Sequence, residues 1–193
     1  MPQQALMRKR CCAHGAGMED AYSPGLKTER LTGRPFTRAD WELVHALQTH
    51  PESGPWLRGP EGPSQIPASE ARSRAIADRL AESWAADGFG PYVLRATGPW
   101  EIGYAGLRRS RLEGLDEIEA LWGVHPDCQG RGYATEAMRA VLEKDAPGLA
   151  ASVACWTLPG NAASIRVMEK LGFRYERSAL WADLRHVVYR LEL

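Results

Sequence analysis

One segment of the chain, residues 118–135, constrains the fold and the function more than any other. Its first half, 118–124, is apolar apart from one glutamate and predicts a strand, and after a short turn its last seven residues open a helix. Glycines let a backbone approach a ligand closely, and the free N–H groups in the first turn of a helix face any bound anion. The segment therefore predicts a site for a phosphorylated cofactor. The seven residues are Gln129, Gly130, Arg131, Gly132, Tyr133, Ala134 and Thr135.

The composition favours one soluble domain. The 193 residues, 44% of them hydrophobic, suffice for one compact core, and we expect a single domain over residues 26–193. Residues 1–25 show little periodicity and predict a disordered extension. Lys and Arg together number 24, as do Asp and Glu, so no net charge favours nucleic acid. Since no apolar run has the length of a membrane span, we expect a cytoplasmic protein without nucleic-acid or membrane partners.

Hydrophobic periodicity predicts both strands and helices. Seven segments have the alternation or the apolar runs of strands: 28–34, 92–96, 102–107, 118–124, 152–157, 173–177 and 186–193. Four segments have helical spacing: one after Thr37, then 69–86, 134–144, and one from the N-cap Asn161 to Gly172. This order favours a mixed α/β sheet flanked by helices.

A proline-rich segment, residues 51–67, interrupts the regular elements. It holds five prolines and carries Trp56 in an otherwise polar stretch. Loops of this kind often shape substrate sites, and aromatic residues also anchor loops to a core. Both roles are open for Trp56.

The four cysteines do not form a metal-binding pattern. Cys11 and Cys12 are adjacent, whereas Cys128 and Cys155 are far from them and from each other. This spacing matches neither a disulfide framework nor a paired zinc site. We expect reduced thiols and no bound metal.

Two signatures resemble those of a known family. Residues 129–134 resemble the Q/R-x-x-G-x-G/A loop of the GNAT acetyl-CoA-dependent N-acetyltransferases. Residues 161–173 resemble the second signature of the branch that contains the ribosomal-protein N-terminal acetyltransferases (RimJ/RimL-like), as do 134–137 and 28–31. The resemblance covers the chain from about Leu26 to its end.

The resemblance implies a fold, a cofactor and a reaction. The fold would be a mixed, mostly antiparallel sheet, splayed at the cofactor site, with helices on both faces. Acetyl-CoA would be the co-substrate, with its pyrophosphate cradled by the backbone of residues 129–135 and its pantetheine arm beside Trp122, Val124 and Asn161. The backbone N–H of Val124 would stabilise the oxyanion. A primary amine would attack the thioester directly, without a covalent enzyme intermediate or a metal.

The reaction needs a base, because most amines are protonated at pH 7, with a pKa of ~8 for an α-amine and ~10.4 for lysine. The family often places a carboxylate on the central strand before the cofactor loop. Glu119 is therefore the first candidate base, and Glu117 is the second.

The leaving thiolate lacks its usual partner. Many family members carry a tyrosine in the last helix, where this chain has Met168. The nearest hydroxyl is that of Ser164, which is the candidate acid unless it bonds back to its own helix. Tyr133 and Tyr175 are the remaining candidates.

Three other functions compete with acetyl transfer. A dinucleotide-binding oxidoreductase needs Gly-x-Gly-x-x-Gly, but the sixth position is Thr135, and no acid ends the strand at 152–157. A cysteine acyltransferase using Cys128 or Cys155 lacks a positioned base. A regulatory domain that binds an acyl-CoA with little or no turnover fits the absence of the tyrosine.

The sequence leaves several identities open for the acceptor amine. We expect it to contact loops at 51–67, 110–116 and 178–183, and it is a protein N-terminus, an amino acid, a polyamine or an aminoglycoside. The basic cluster at residues 108–111 meets an acidic group or the ribose phosphate of the cofactor, or it is solvated. A homodimer is also compatible with the sequence.

Overall fold

The structure is a computed structural model that describes residues 25–57, 69–98, 100–181 and 184–193. The extension predicted for residues 1–25 lies outside the described residues except for Gly25. Cys11, Cys12 and the part of the proline-rich segment after Leu57 also lie outside them.

Eight strands form one sheet in the order β1-β2-β3-β4-β5-β6-β8-β7. The neighbours are antiparallel except for β5 and β6, which are parallel. This topology confirms the predicted mixed, mostly antiparallel sheet and rules out the doubly wound parallel sheet of a dinucleotide-binding fold. The strands are β1 (Leu26–Lys27), β2 (Leu31–Pro35), β3 (Tyr92–Ala96), β4 (Glu101–Leu112), β5 (Leu115–Val124), β6 (Ser152–Thr157), β7 (Arg174–Trp181) and β8 (Leu184–Glu192).

The helices begin and end at local signals. Ser69 caps the third helix by accepting a hydrogen bond from the backbone N–H of Arg72, and Gly88 ends that helix in a left-handed conformation. Asn161 caps the fifth in the same way as Ser69. The described helices are α1 (Trp41–Thr49), α2 (Gly54–Leu57), α3 (Glu70–Asp87), α4 (Tyr133–Asp145) and α5 (Ala162–Lys170).

The helices cover both faces of the sheet, as predicted. On one face, Met138 of α4 and Met168 of α5 join Ile118 and Ala120 of β5 in a buried cluster. On the other face, Leu47 of α1 and Leu80 of α3 pack over Val93 and Tyr104. Because side chains alternate along β5, Glu119 lies on the same face as Tyr104, on the α1 side.

Two segments that were expected to be loops are strands. Residues 110–116 belong to a long β4–β5 hairpin with a two-residue turn, in which Glu113 and Gly114 both have positive φ. Residues 178–181 belong to β7. The tip of the hairpin reaches β7, where Glu113 accepts a hydrogen bond of 2.9 Å from the backbone N–H of Leu180. The prediction of loops was wrong for the two arms of the hairpin and for residues 178–181, while residues 182 and 183 lie outside the described residues. In the hairpin, the exposed charges of Arg111 and Asp116 hide the strand alternation, and residues 178–181 are a strand because they pair with β8.

Candidate functional site

A gap opens between the two parallel strands at the centre of the sheet. Glu119 and Ala154 are the one register pair between β5 and β6 in the described chain. At the end of β5, the N–H of His125 donates to the carbonyl of Ile102, 2.8 Å away. This bond makes Val124 and Gly103 a non-hydrogen-bonded pair, so the backbone N–H of Val124 points away from β4 and toward β6. By the same alternation, the N–H of Trp122 also faces the gap.

The glycine loop, residues 129–132 before α4, lies at the end of this gap. A 3-10 turn, Pro126–Cys128, leads from β5 to Gln129, whose side-chain amide donates to the carbonyl of Val124, 2.8 Å away. The four residues from Gln129 to Gly132 are exposed. Gly132 is the N-cap of α4 and has φ 80°, a left-handed conformation that residues with a side chain rarely adopt. The N–H groups of the first turn of α4 are thereby open to an anionic ligand.

Asn161 lies across the gap, where β6 passes into α5. Its side-chain N–H donates to Thr157 Oγ1 over 2.9 Å, and its Oδ1 accepts from the N–H of Ser164 over 3.2 Å. It is buried. Since β5 and β6 are parallel, their carboxyl ends lie at the same edge of the sheet, which brings Asn161 and the glycine loop to the two sides of one opening.

Ser164 and Met168 lie one turn apart on α5. Met168 is fully buried in the core, so the position at which the resemblance leads us to expect a tyrosine is a packing position here. The Ser164 side chain is partly exposed, and its hydroxyl makes no hydrogen bond within the described residues. The alternative in which this hydroxyl bonds to its own helix is therefore not observed.

Glu119 is buried and ion-paired. Its Oε2 lies 2.7 Å from Nε of Arg108, the residue opposite it on β4. Its other carboxylate oxygen, Oε1, makes no hydrogen bond in the described part of the chain. Burial alone would lower the pKa of Arg108, but the charge of Glu119 raises that pKa above its ordinary value. The ion pair orients one oxygen of Glu119 and leaves the other available to water or to an amine.

Glu117, the second candidate base, is held more tightly. Its two oxygens accept from both terminal nitrogens of Arg190, at 2.8 and 3.0 Å. It lies near the hairpin end of β5, away from the glycine loop. The geometry favours Glu119.

Tyr104 of β4 is a residue that the sequence analysis missed. Its ring lies over Gly123, where an added Cβ would be 3.1 Å from Cε1 and Cζ of the ring. It shares the α1-side face with Arg108 and Glu119, and burial, with a smaller contribution from Glu119, raises its pKa to about 12. The phenol is therefore protonated at neutral pH and lies between the ion pair and the end of β5.

Residues after α1 reach the same opening. The His50 and His125 rings meet edge to face, with centroids 5.3 Å apart. Burial lowers the pKa of His125, so its imidazole is neutral at pH 7. The Trp56 ring of α2 lies 3.4 Å from where a Cβ of Gly160 would be, beside Asn161. The described part of the proline-rich segment thus borders the gap, and Trp56 is both a loop anchor and 41% exposed.

The two alternative tyrosines lie in different places. The Tyr133 ring is at the start of α4, under the guanidinium of Arg30. Tyr175 is on β7, which β8 separates from β6, and it is exposed. Tyr175 is therefore remote from the gap.

Neither described thiol is activated. Burial raises the pKa of Cys128, and burial raises the pKa of Cys155 well above its ordinary value. Both cysteines are free, and Cys155 is buried in β6. These environments argue against a cysteine nucleophile, which needs a lowered pKa.

The predicted basic cluster is largely neutralised. Arg108 pairs with Glu119, Arg109 with Asp87, and Arg111 with Asp116. In the described ranges, no group of three or more acidic, His or Cys side chains is placed to hold a metal ion, and no helix is long and apolar enough to cross a membrane.

Comparisons with known proteins show the family and the fold. Residues 30–174 match the acetyltransferase (GNAT) domain family. The acetyltransferase from Agrobacterium tumefaciens strain C58 is 27% identical, with a TM-score of 0.72 over 89% of this chain and 96% of that one.

Two solved structures that contain coenzyme A share the fold at lower identity. The aminoglycoside acetyltransferase AAC(6')-Ib is 19% identical, with a TM-score of 0.61 over 84% of this chain and 94% of that one. RimL, a ribosomal L7/L12 alpha-N-protein acetyltransferase, is 15% identical, with a TM-score of 0.65 over 86% of this chain and 96% of that one.

Proposed function

The chain belongs to the GNAT acetyltransferase family and is an acyltransferase, and we propose that it moves an acetyl group from acetyl-CoA to a primary amine by direct attack. The observation that carries the proposal is the exposed glycine loop at the end of a strand whose backbone N–H groups face a gap in the sheet.

The loop supplies a binding site for the pyrophosphate. Backbone N–H groups from Gly130 to Ala134, with Thr135 in the first turn of α4, face the anion. The expectation that the backbone of Gln129 joins them was wrong, because its N–H donates to the carbonyl of Pro126, 3.0 Å away. The positive end of the helix dipole favours negative charge at the same point. Arg131 is exposed and adds a positive charge.

The gap accepts the pantetheine arm and the thioester. The arm runs along β5 beside Trp122 and pairs with backbone groups that β4 does not use. The N–H of Val124 stabilises the negative charge on the thioester oxygen as the amine attacks. Asn161 borders the arm from the β6 side.

Glu119 takes the proton from the attacking ammonium group, directly or through one water. Its Oε1 is the receiving atom, since Arg108 holds Oε2. The neutral amine then attacks the carbonyl carbon, the C–S bond breaks, and the second proton of the amine nitrogen passes to the leaving thiolate, so that the amide and the free thiol of CoA are released. This order requires no covalent enzyme intermediate.

Ser164 donates a hydrogen bond or a proton to the leaving sulfur. Its hydroxyl makes no hydrogen bond to any described residue, and it lies one turn before Met168 on the helix that Asn161 caps. Because a thiol has a pKa of about 8.5, the thiolate leaves without strong assistance, and we expect this contribution to be small.

The acceptor is a protein N-terminus or a small-molecule amine. Residues 28–31, 134–137 and 161–173, which resemble the ribosomal-protein N-terminal branch, support the first. The opening near His125 and Trp56 is bordered by neutral imidazole and indole groups, which admit either. A cytoplasmic location and a homodimer stay predictions.

A regulator that binds an acyl-CoA but turns it over poorly is the second candidate. The burial of Met168 at the usual tyrosine position favours it. Its cofactor loop would be the same, so only turnover distinguishes the two candidates.

Release of free thiol from acetyl-CoA tests the proposal. The purified protein is incubated with acetyl-CoA and, in separate reactions, an N-terminal peptide, a lysine peptide, a polyamine and an aminoglycoside. We expect thiol release that depends on one class of amine and acetylation of that amine by mass spectrometry. Saturable acetyl-CoA binding with no release for any amine would favour the regulator.

A further inference from the structure

We infer that Arg30, in the turn between β1 and β2, is a positioning residue that holds the glycine loop in its cofactor-binding conformation. The inference rests on the proposed function, because it assigns Arg30 a role in binding acetyl-CoA. It does not make Arg30 a catalytic residue.

One guanidinium contacts three positions of the loop and of α4. Its Nη1 donates to the carbonyl of Arg131 over 3.0 Å. Its Nε donates to Oε2 of Glu136 over 2.6 Å. Its central carbon lies 4.9 Å from the ring centroid of Tyr133. These contacts join residues about a hundred positions apart in the sequence.

Glu136 fixes the other end of this connection. Its Oε1 accepts from the backbone N–H of Arg30 over 2.9 Å and from the Thr28 hydroxyl over 2.5 Å. The Thr28 hydroxyl in turn accepts from the N–H of Leu31, which closes the β1–β2 turn. Burial alone would raise the pKa of Glu136, but the hydrogen bonds from Thr28 and Arg30 lower that pKa below its ordinary value. The carboxylate is therefore ionised at neutral pH.

The hydrogen bond from Arg30 to the carbonyl of Arg131 determines the direction of one N–H donor of the glycine loop. In a trans peptide unit, the C=O and the following N–H point in opposite directions. Because the carbonyl of Arg131 points at Arg30, the N–H of Gly132 points away from Arg30 and toward the open side of the loop. A loop with two left-handed glycines, Gly130 and Gly132, otherwise has many conformations to lose on binding.

Two substitutions of Arg30 separate its positioning of the glycine loop from the effect of its positive charge. Nη2 of Arg30 lies 3.5 Å from where a Cβ of Gly132 would be, so the positive charge of Arg30 is also close to the glycine loop. A lysine keeps the charge, but its single ammonium group cannot bind the Arg131 carbonyl and Glu136 with the planar two-sided geometry of arginine. Arg30→Lys therefore tests the geometry, and Arg30→Gln removes both geometry and charge.

The experiment measures acetyl-CoA affinity by isothermal titration for wild type, Arg30→Lys and Arg30→Gln. Arg38→Gln is the matched control, since Arg38 makes an exposed ion pair with Asp78 elsewhere on the surface. We expect both Arg30 variants to bind at least about fivefold more weakly, because a small displacement of binding groups is costly. We expect kcat at saturating acetyl-CoA to be the same in both Arg30 variants as in wild type. We expect Arg38→Gln to bind acetyl-CoA with the wild-type affinity.

A second readout excludes a merely structural effect. Amide hydrogen exchange at Glu136, whose N–H donates to the carbonyl of Gly132 over 3.0 Å, should be faster in both Arg30 variants of the cofactor-free protein, while exchange in β3 and β6 stays at the wild-type rate. Wild-type affinity in Arg30→Gln, full affinity in Arg30→Lys, or unchanged exchange at Glu136 would overturn the inference while the proposed function stands. A wild-type chain that does not bind acetyl-CoA overturns the proposed function and this inference with it.

Discussion

Glu119 and Arg108 face each other across the β4–β5 ladder and form a buried ion pair, with Oε2 2.7 Å from Nε. The pair lies beside the last register contact between β5 and β6, so it marks the inner end of the gap. Because the arginine binds one oxygen only, the carboxylate is oriented and its other oxygen is available. This arrangement suits a base that acts on a proton arriving from the gap.

Replacing Glu119 with glutamine should reduce kcat/KM most at low pH. The amine substrate is largely protonated there, and a base contributes about 10²- to 10⁴-fold in typical cases. At pH values near the pKa of the amine, the free amine is abundant and the loss should shrink. Thiol release measured across this pH range tests whether the ratio of wild-type to variant kcat/KM falls as the pH rises.

The control for this variant is Glu117→Gln, which removes a carboxylate that lies nearer the hairpin end of β5 and is paired with Arg190 of β8. We expect its pH profile to have the wild-type shape. A Glu119→Gln loss that is absent, or equal at all pH values, would contradict the role of Glu119 as base.

Ser164→Ala should lower kcat and leave the affinity for acetyl-CoA unchanged. The hydroxyl is proposed to meet the sulfur only as the C–S bond breaks, and the thiolate leaves tolerably without it, so we expect a decrease of less than about tenfold. Single-turnover kinetics and titration measure the two quantities separately. Wild-type kcat would return Ser164 to a structural role in the α5 cap.

Neither Cys128 nor Cys155 should carry an acetyl group. Burial raises the pKa of both thiols, so the thiolate fraction at pH 7 is below that of an ordinary cysteine. Cys128→Ser should retain kcat, and iodoacetamide should leave Cys155 unmodified in the folded protein. Parallel-line kinetics, or an acetylated cysteine peptide in the absence of amine, would show the opposite.

Local signals in the sequence predicted much of the fold. β3 and β6 have the predicted bounds, because each is a short apolar run ended by Gly, Pro or polar residues. α3 and α4 begin within one residue of the prediction. The N-cap role predicted for Asn161 is confirmed by its hydrogen bond to Ser164.

Pairing between distant segments was not predictable in the same way. Leu112 and Leu115 lie in a hairpin whose exposed Arg111 and Asp116 resemble loop residues, and only their cross-strand pairing makes them strands. The glycine loop was found because its signal is local. The contacts of the glycine loop with Arg30 form only in the folded chain, as does the position of Tyr104 over Gly123. Such contacts between distant segments cannot be predicted from a single sequence.

The central claim is that the loop around Gly132 binds acetyl-CoA, and titration of wild type, Gly132→Val and Gly148→Val tests it most directly. Gly148 is the matched control, because it has the same φ of 80° and open space around it, in the turn after α4. We predict saturable binding for wild type and Gly148→Val, and binding at least about tenfold weaker for Gly132→Val, whose branched side chain strains the loop and moves its N–H groups. Equal affinities for wild type and Gly132→Val, or no binding by wild type, would contradict the account.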